Sequence, residues 1–459
     1  MRKLSVAKFG GSLLDQKGKN VPAILERIRE LRSRDHYGPI VVFSAPDRYT
    51  DELIRIGESK AQSRSASVES IFNSYDRIAK MYVKGKLLKQ VLSELRSYRK
   101  KAYEALSLID KRFQGNARAK FLTSGGEFPT SLLMEYIMSA NGLNSCHIPK
   151  DRWPIVTDDN FENATPLYEA SKKRISYIID LLEKGKVISQ AGFLGVTADG
   201  LETTLGRGGS DLTAVFISCL LKSQYNVETI LFKDVPIQSA DPKSVKGQKT
   251  YVVQSLTYNE AHKASMMGMK IVQDSAISMA RRFKQPLKVV PFQAAEKYTV
   301  ISSESFTEEI VKIVTGKSGC AILSMRDEKS RSLEDSLRVW ERRDDFLDLG
   351  TETLETEERI RDFLFLDSEF LRKNEEKIKS FDKNLKIEYG VGVVTLIGDK
   401  MKDSPGVASI AIGAIPQINI IRGIFAPHTS QIILVVEEKN VDAAVAAIHI
   451  KREEMNKPR

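Results

Sequence analysis

The stretch Thr203–Ala214, with the sequence TTLGRGGSDLTA, contains three glycines, an arginine, a serine and an aspartate between a strand-like and a helix-like apolar run. The glycines allow the backbone to turn tightly and to come close to a ligand. Asp211 and Thr213 open an apolar run that continues to Leu221 and predicts a helix. An anion at the amino end of that helix would meet free N–H groups and a favourable dipole. The alternative is an ordinary glycine-rich surface turn.

The amino-terminal half of the chain alternates strand and helix patterns. The runs Leu4–Phe9 and Pro39–Ser44, rich in valine and isoleucine, flank the helix-periodic stretch Val21–Ser33 and predict a βαβ unit. A helical insertion is predicted at about residues 58–115. Such alternation favours a parallel sheet covered on both faces. Further strands are predicted at Phe121–Thr123, Ser145–Ile148, Lys186–Gln190, Thr229–Phe232 and Leu287–Val290, and further helices at Pro129–Met138, Thr165–Leu182 and Ile271–Arg281.

The carboxyl-terminal third has a different pattern of short strands and helices. From Val391 onward the order is β-α-β-β-α, which matches the ferredoxin-like arrangement. Before it, strands are predicted at Glu309–Ile313, Ala321–Met325, Phe346–Thr351 and Arg361–Leu366, around a helix at Leu333–Arg342.

The composition indicates a soluble globular protein of two or three domains, because the chain has 459 residues, 42% hydrophobic and 28% charged. No apolar run is long enough to span a bilayer, and Met1–Ser5 leads directly into a strand, so neither a membrane partner nor a signal peptide is expected. Cys146, Cys219 and Cys320 lie far apart in sequence. We therefore expect neither disulfides nor a zinc cluster, and we predict a reducing cytoplasmic setting.

The net charge of +10 raises the question of a nucleic-acid partner. However, lysines and arginines alternate with acids, as in Glu26–Arg34 and Lys84–Lys101, and no basic stripe contains interleaved aromatic residues. Solvated helix faces explain this charge, and no nucleic-acid partner is expected. An anionic nucleotide substrate would need only a few local cations.

A second motif, Lys8–Ser12 with the sequence KFGGS, precedes TTLGRGGSD in the chain. Together the two motifs resemble the aspartokinase branch of the amino-acid kinase family. The resemblance implies a parallel-rich sheet sandwiched by helices in a catalytic domain at 1–300, followed by two ferredoxin-like ACT domains at 308–385 and 386–459. Asp403–Ala408 and Ile418–Ile420 resemble the entry loop and second strand of an ACT domain, and such domains imply a homodimer or a larger oligomer.

Phosphoryl transfer requires cations where negative charge spreads over the transferring group. Lys8, at the end of the first predicted strand, would supply one such cation beside backbone N–H groups of Gly10, Gly11 and Ser12. Considered alone, Lys8 is better explained as a solvated lysine at a strand end, whereas the resemblance favours the functional role. The resemblance implies that Lys270 is the second cation and that Asp211 belongs to the catalytic residues.

The resemblance also implies ATP as the phosphoryl donor, with Mg²⁺ bridging its phosphates and with no metal site formed by the protein. Asp234 and Asp241 resemble the family's adenosine-side loop, although an acid before a proline is also common in simple turns. The remaining residues implied in nucleotide binding are Lys233, Gln238, Lys243 and Ile271.

An amino-acid acceptor needs a cation for its α-carboxylate, an anion for its ammonium group and hydroxyls near the reacting group. The resemblance implies Arg207 and Glu127 for the first two roles. Alternatively, Glu127 is a helix-start acid before Pro129, and Thr50 caps a helix. The residues implied around the acceptor are completed by Ser44, Thr50, Gly208, Gly209 and Ser210.

Several positions depart from the family pattern. Lys233 and Gln238 stand where threonine and tyrosine are usual, and Gln273-Asp274 replaces a His-Pro pair. The loop after Ser44 contains Pro46-Asp47-Arg48 in place of a small glycine-containing run, and His428 lies in an altered effector loop. Reshaped pocket edges can change substrate choice, and feedback by lysine or threonine cannot be assumed.

The resemblance therefore predicts ATP-dependent phosphorylation of the side-chain carboxylate of aspartate. One alternative is a kinase of the same family that phosphorylates another small amino acid, such as the hydroxyl of homoserine. A cation at Arg48 would favour a carboxylate over a hydroxyl. The second alternative is a non-catalytic, ACT-bearing regulator.

Overall fold

A computed structural model describes residues 2–269, 271–339, 346–353, 358–425 and 430–457. The chain forms two compact units, the first comprising Met1–Pro236 with Val272–Ser303 and the second Ile237–Ile271 with Glu304–Arg459. The domain boundaries at 1–300, 308–385 and 386–459 stay predictions.

Strands and helices alternate through most of the chain. The strands are β1 Lys3–Phe9, β2 Tyr37–Phe43, β3 Ser145–His147, β4 Val187–Ala191, β5 Leu194–Val196, β6 Glu202–Thr204, β7 Asn226–Lys233, β8 Ser255–Thr257, β9 Leu287–Pro291, β10 Thr299–Ser302, β11 Ile313–Arg326, β12 Phe346–Thr353, β13 Arg359–Phe365, β14 Lys386–Ile397, β15 Ile420–Ile424 and β16 Gln431–Glu437. The helices are α1 Val21–Arg34, α2 Tyr49–Ala61, α3 Glu69–Tyr82, α4 Gly85–Ser107, α5 Gly115–Gly125, α6 Glu127–Ala140, α7 Tyr168–Lys172, α8 Ser176–Glu183, α9 Gly209–Leu221, α10 Tyr258–Met266, α11 Asp274–Phe283, α12 Asp327–Val339, α13 Ser368–Lys379, α14 Val407–Gly413, α15 Val441–Ile450 and α16 Arg452–Met455.

The first unit is built on a parallel-rich sheet with the strand order β3-β4-β2-β1-β7-β9-β10. These neighbours pair in parallel, except that β10 runs antiparallel to β9. The side chains of β1 from Leu4 onward are buried, as expected for a strand covered on both faces. Lys8 lies in register with Val42 on one side and Leu231 on the other. The loops after β1, β2 and β7 therefore leave the sheet at one edge, where ligands bind in parallel α/β sheets.

Helices cover the same sheet, and the helix-periodic segment at 58–115 contains α3 and α4. The buried Tyr75 of α3 packs beneath the turn between α5 and α6. Its hydroxyl lies 2.9 Å from the carbonyl oxygen of Gly126 and 2.9 Å from the hydroxyl of Thr130. One function of α3 is thus to fix the backbone just before Glu127.

Four local predictions were wrong. The residues Phe121–Thr123 belong to helix α5, because a short buried apolar run has the same appearance in a strand and in a helix. The single helix predicted at Thr165–Leu182 is the separate pair α7 and α8. The helix predicted from Ile271 begins only at Asp274, and the strand predicted at Glu309–Ile313 is irregular up to the start of β11.

The second unit contains an antiparallel sheet with the strand order β12-β13-β11-β14-β16-β15. One core packs α14 and α15 against the first part of β11, the second part of β14 and β16. Another core packs α12 and α13 against the second part of β11 and β13. These two helix-on-sheet layers confirm the predicted ferredoxin-like, ACT-type architecture, and β11 contributes to both cores.

Two further observations concern the whole described chain. None of the helices in the described ranges is long and apolar enough to cross a membrane. Cys146, Cys219 and Cys320 are all free thiols.

Candidate active site

A cleft of about 510 Å³ opens in the first unit at the carboxyl edge of the parallel strands. Gly11 follows β1 and Ser44 follows β2, whereas Glu127 begins α6 and the glycine-rich loop leads into α9. All the residues predicted around the acceptor line this cleft: Ser44, Thr50, Glu127, Arg207, Gly208, Gly209 and Ser210.

Three charged side chains form a buried cluster at the same edge. Lys8 Nζ lies 2.8 Å from Asp211 Oδ1, and Lys233 Nζ lies 2.7 Å from Asp211 Oδ2. Burial disfavours the charged carboxylate, yet Lys233 and Lys8 hold the pKa of Asp211 well below its usual range. Burial lowers the pKa of Lys8, and Asp211 opposes that shift. Asp211 therefore positions two cations, and the cluster has an excess of positive charge.

The glycine loops bring backbone close to this cluster. A side chain at Gly11 would place a Cβ atom 2.5 Å from the carbonyl oxygen of Ala45, so only glycine fits between the loops after β1 and β2. Gly208 has a φ of 79° and is the residue at which the chain turns into α9. The backbone N–H groups at the start of α9 are consequently near the cleft, as an anion site requires.

Glu127 is the buried acid of the cleft. Its side chain accepts a hydrogen bond from the Ala45 N–H at 3.4 Å. Burial raises the pKa of Glu127 to about 7 from an ordinary value of 4.5. Glu127 is also the first residue of α6, so the helix-start explanation and the binding explanation are compatible. A cationic group would be the natural partner of a carboxylate held in this way.

The two arginines predicted from the sequence are at the solvent side of the cleft. Arg207 is 95% exposed in its side chain and lies 3.8 Å from Asp51. Arg48 is 81% exposed and lies 3.6 Å from the adjacent Asp47. Both side chains can therefore move toward a ligand, but neither is held in position.

Other predicted nucleotide residues lie elsewhere. Asp234 is exposed just after β7, whereas Gln238, Asp241, Lys243 and Ile271 belong to the second unit. Asp241 Oδ1 accepts a hydrogen bond from the Lys243 N–H at 2.9 Å, the geometry of a local turn. Their roles with a nucleotide stay predictions. Lys270 and His428 fall outside the described residues.

Sequence reasoning missed three residues at this site. Arg118 and Glu162 line the cleft. Gln273 lies beside the charged cluster, with its N–H 3.4 Å from Asp211 Oδ2. The replacement of the family's His-Pro pair by Gln273-Asp274 was the sequence signal that could have identified Gln273. Arg118 had no signal, because the strand predicted at Phe121–Thr123 concealed the helix that carries it.

The chain is similar to known proteins over most of its length. Residues 3–291 match the model of the amino acid kinase family. Aspartokinase 2 of Bacillus subtilis is 28% identical over 291 residues, which cover 60% of this chain and 68% of that protein. The aspartokinase of Helicobacter pylori strain 26695 is 25% identical over 403 residues, covering 83% and 95% respectively.

Among solved structures, Escherichia coli aspartokinase III in complex with aspartate and ADP has a TM-score of 0.76 at 18% identity, covering 98% of this chain and 99% of that one. This similarity concerns the fold. Together with the sequence relatives, it confirms the resemblance that the two glycine-rich motifs predicted. Because the family model matches more than half of the sequence, the chain belongs to the amino acid kinase family.

Proposed function

We propose that the chain is an ATP-dependent aspartate kinase, which converts L-aspartate to 4-phospho-L-aspartate as the first step of the aspartate-family amino-acid pathway. The observation that carries this proposal is the buried Lys8–Asp211–Lys233 cluster, at the same sheet edge as a cleft with a buried acid and exposed arginines. The aspartokinases among the relatives support the same conclusion.

In the transfer step, the protein supplies position and positive charge. Lys8 would contact the phosphoryl group, and Asp211 would hold the ammonium groups of Lys8 and Lys233 in position through one ion pair to each. The N–H groups of Gly10, Gly11 and Ser12 would cradle the phosphates. Lys270 stays the second proposed cation, on the basis of the sequence motif.

In the acceptor cleft, Arg207 would bind the α-carboxylate and Glu127 the ammonium group, with hydroxyls of Ser44, Thr50 and Ser210 around the reacting carboxylate. A carboxylate is already a nucleophile at neutral pH, whereas the hydroxyl of homoserine must lose a proton as it attacks. Because Glu127 is assigned to the ammonium group, the proposed cleft suits a carboxylate acceptor better.

Mg²⁺ bound with ATP would supply neutralisation of the phosphate charge, in addition to the charge of Lys8 and Lys233. The carboxylate of Asp211 is occupied by two lysines, so we do not assign it as a ligand. In the described ranges, no group of three or more His, Cys, Asp or Glu side chains is placed to hold a metal ion. A cytoplasmic location is part of the proposal and rests on the three free thiols.

The test is coupled ADP release by the purified protein with ATP and Mg²⁺, in the presence of aspartate, homoserine, glutamate or no acceptor. The proposal expects release that depends on aspartate. Turnover of homoserine alone would favour the same-family alternative. Arg48 would then not contribute to the choice of acceptor. No turnover with any acceptor would favour the non-catalytic regulator.

Substitution Arg207→Lys should raise the KM for aspartate and leave the KM for ATP nearly unchanged. Lysine keeps the charge but loses the planar fork that binds a carboxylate through two hydrogen bonds. Initial rates at varied aspartate and at varied ATP measure the two constants separately. An equal rise in both KM values would contradict the assignment of Arg207 to the acceptor.

We also propose a homodimer or larger assembly built through residues from about Lys312 onward. In the described part of the second unit, β12 and β15 form the edges of the sheet, and edge strands have unpaired backbone groups. Light scattering at micromolar concentration should therefore give the mass of at least two chains. A monomer at that concentration would overturn this expectation.

A further inference from the structure

Arg118 is the least exposed of the three arginines that line the cleft. Its side chain is 17% exposed, compared with 81% for Arg48 and 95% for Arg207. A mobile side chain loses rotamer freedom when it binds a ligand, whereas a held side chain has already lost it. Arg118 is thus a pre-organised cation, and the function proposed above leaves it without a role.

Two groups hold Arg118 in position. Its guanidinium carbon lies 5.4 Å from the centre of the Phe113 ring, which is a cation–π distance. Glu162 Oε2 lies 3.7 Å from Nη1 of Arg118, and the other oxygen of Glu162 accepts a hydrogen bond from the Gly115 N–H at 3.2 Å. The aromatic ring and the carboxylate fix the plane of the guanidinium.

The N–H groups of Arg118 are nevertheless unused. The distance of 3.7 Å to Glu162 is that of an ion pair and exceeds hydrogen-bond length. Within the described ranges, the guanidinium donates no hydrogen bond, although it has five N–H donors. The guanidinium can therefore donate two parallel hydrogen bonds to a carboxylate in the cleft.

The place of Arg118 in its helix also indicates an anionic ligand. Arg118 lies in the first turn of α5, where the helix dipole disfavours a cation. No acid in that first turn compensates, and Glu162 comes from a distant part of the chain. A bound carboxylate would stabilise both the guanidinium and the amino end of the helix.

We propose that Arg118 is a specificity-determining residue that binds the α-carboxylate of the acceptor together with Arg207. Arg118 lies on the same side of the cleft as the glycine-rich loop. Its partner Glu162 is next to Asn163 in the chain, and Asn163 forms a β-bridge with Leu205, just before that loop. The reacting carboxylate, by contrast, must lie toward Gly11 and the phosphates. This inference rests on the proposed function and adds a second arginine to the binding of the α-carboxylate.

The test compares KM values for aspartate and for L-aspartate α-amide, which keeps the reacting carboxylate but lacks the α-carboxylate. Arg118→Ala should raise the KM for aspartate about 10- to 100-fold, the range of a charge-assisted hydrogen bond, and should change the KM for ATP less than about twofold. Because the α-amide is uncharged and offers the guanidinium only one acceptor oxygen, the preference of the wild type for aspartate over the α-amide should shrink in Arg118→Ala. The KM of Arg118→Lys for aspartate should lie between the KM of the wild type and that of Arg118→Ala.

Two further variants separate binding from support of the helix. Arg112→Ala removes an exposed arginine of the same segment and should leave all constants unchanged. Glu162→Gln removes the ion pair that positions Arg118 but keeps the guanidinium and an oxygen for the Gly115 N–H, so it should raise the KM for aspartate less than Arg118→Ala does. Thermal unfolding of each variant checks that it is folded.

The outcomes are distinct. If Arg118→Ala raises the KM for aspartate and the KM for the α-amide by the same factor, Arg118 merely supports α5 and the inference is overturned. The inference also fails if the wild type uses aspartate and neither Arg118 variant changes its KM or its preference over the α-amide. If the wild type itself releases no ADP with aspartate, the proposed function is wrong, and the role of Arg118 that rests on it is wrong as well.

Discussion

Replacing Lys8 by alanine should lower kcat at least ~10²-fold while the KM for aspartate changes little. Lys8 is buried, is held 2.8 Å from Asp211 and is the penultimate residue of the strand that leads into the Gly10–Ser12 loop. A cation fixed in a site with little water stabilises developing negative charge far more than a solvated one. Steady-state ADP release at saturating ATP and aspartate measures the loss.

The control for this prediction is on the same strand. Lys3→Ala removes a lysine at the opposite end of β1 and should leave kcat within about twofold of the wild type. Lys8→Met keeps the aliphatic stem, so lost turnover with unchanged thermal unfolding would isolate the effect of the charge. Near-normal turnover in Lys8→Ala and in Lys270→Ala would remove both lysines from the mechanism.

Replacing Glu127 by glutamine should weaken aspartate binding and stabilise the fold. The KM for aspartate should rise about 10- to 100-fold, because the amide cannot pair with the substrate ammonium group as a carboxylate does. At pH 8 the wild type contains a buried charge whose pKa is about 7 instead of 4.5. Removing that charge should raise the free energy of unfolding by up to about 3 kcal/mol. Denaturant unfolding and initial rates measure the two effects.

The pH dependence of the wild type follows from the same pKa. Because folding raises the pKa of Glu127, the neutral form contributes stability at low pH, and this contribution is lost as pH rises from about 4.5 to about 7. Aspartate binding has the opposite trend, since it needs the ionised form: its KM should rise as pH falls below about 7. In Glu127→Gln the KM for aspartate should lose this pH dependence, and the loss of stability between about pH 4.5 and 7 should become smaller, because Glu135 keeps its own raised pKa.

A second acid of the same helix provides the control. Burial also raises the pKa of Glu135, which accepts a hydrogen bond from Ser139 and does not line the cleft. Glu135→Gln should leave the KM for aspartate and its pH dependence as in the wild type. If Glu127→Gln binds aspartate normally, the ammonium group is held elsewhere.

The sequence by itself determined the framework of the first unit. Continuous apolar runs predicted β1, β2 and β7, because a strand buried on both faces needs apolar residues throughout. The glycine motifs predicted which loops approach a ligand, since only glycine fits at Gly11 and turns readily into α9 at Gly208. The residues predicted around the acceptor came together in one cleft at the sheet edge to which parallel strands bring their carboxyl ends.

The tertiary structure decided the contacts between residues that are distant in sequence. The run Phe121–Thr123 became helical, because packing against neighbouring elements overrides the local preference of three residues. The sequence presented Lys233 as a departure from the family pattern and as an implied nucleotide-binding residue, and the fold pairs it with the carboxylate of Asp211. The ion pair of Arg118 with Glu162 likewise has no local signature.

The chemical state of the site is also a tertiary property. Whether Glu127 is an ordinary helix-start acid or a carboxylate with a pKa of about 7 depends on how completely its neighbours exclude water. The exposure of Arg207 and the confinement of Arg118 likewise depend on what packs around each guanidinium. Residue type and spacing identify the groups that could bind an amino acid, whereas burial and through-space partners decide which of them are charged and which are held in place.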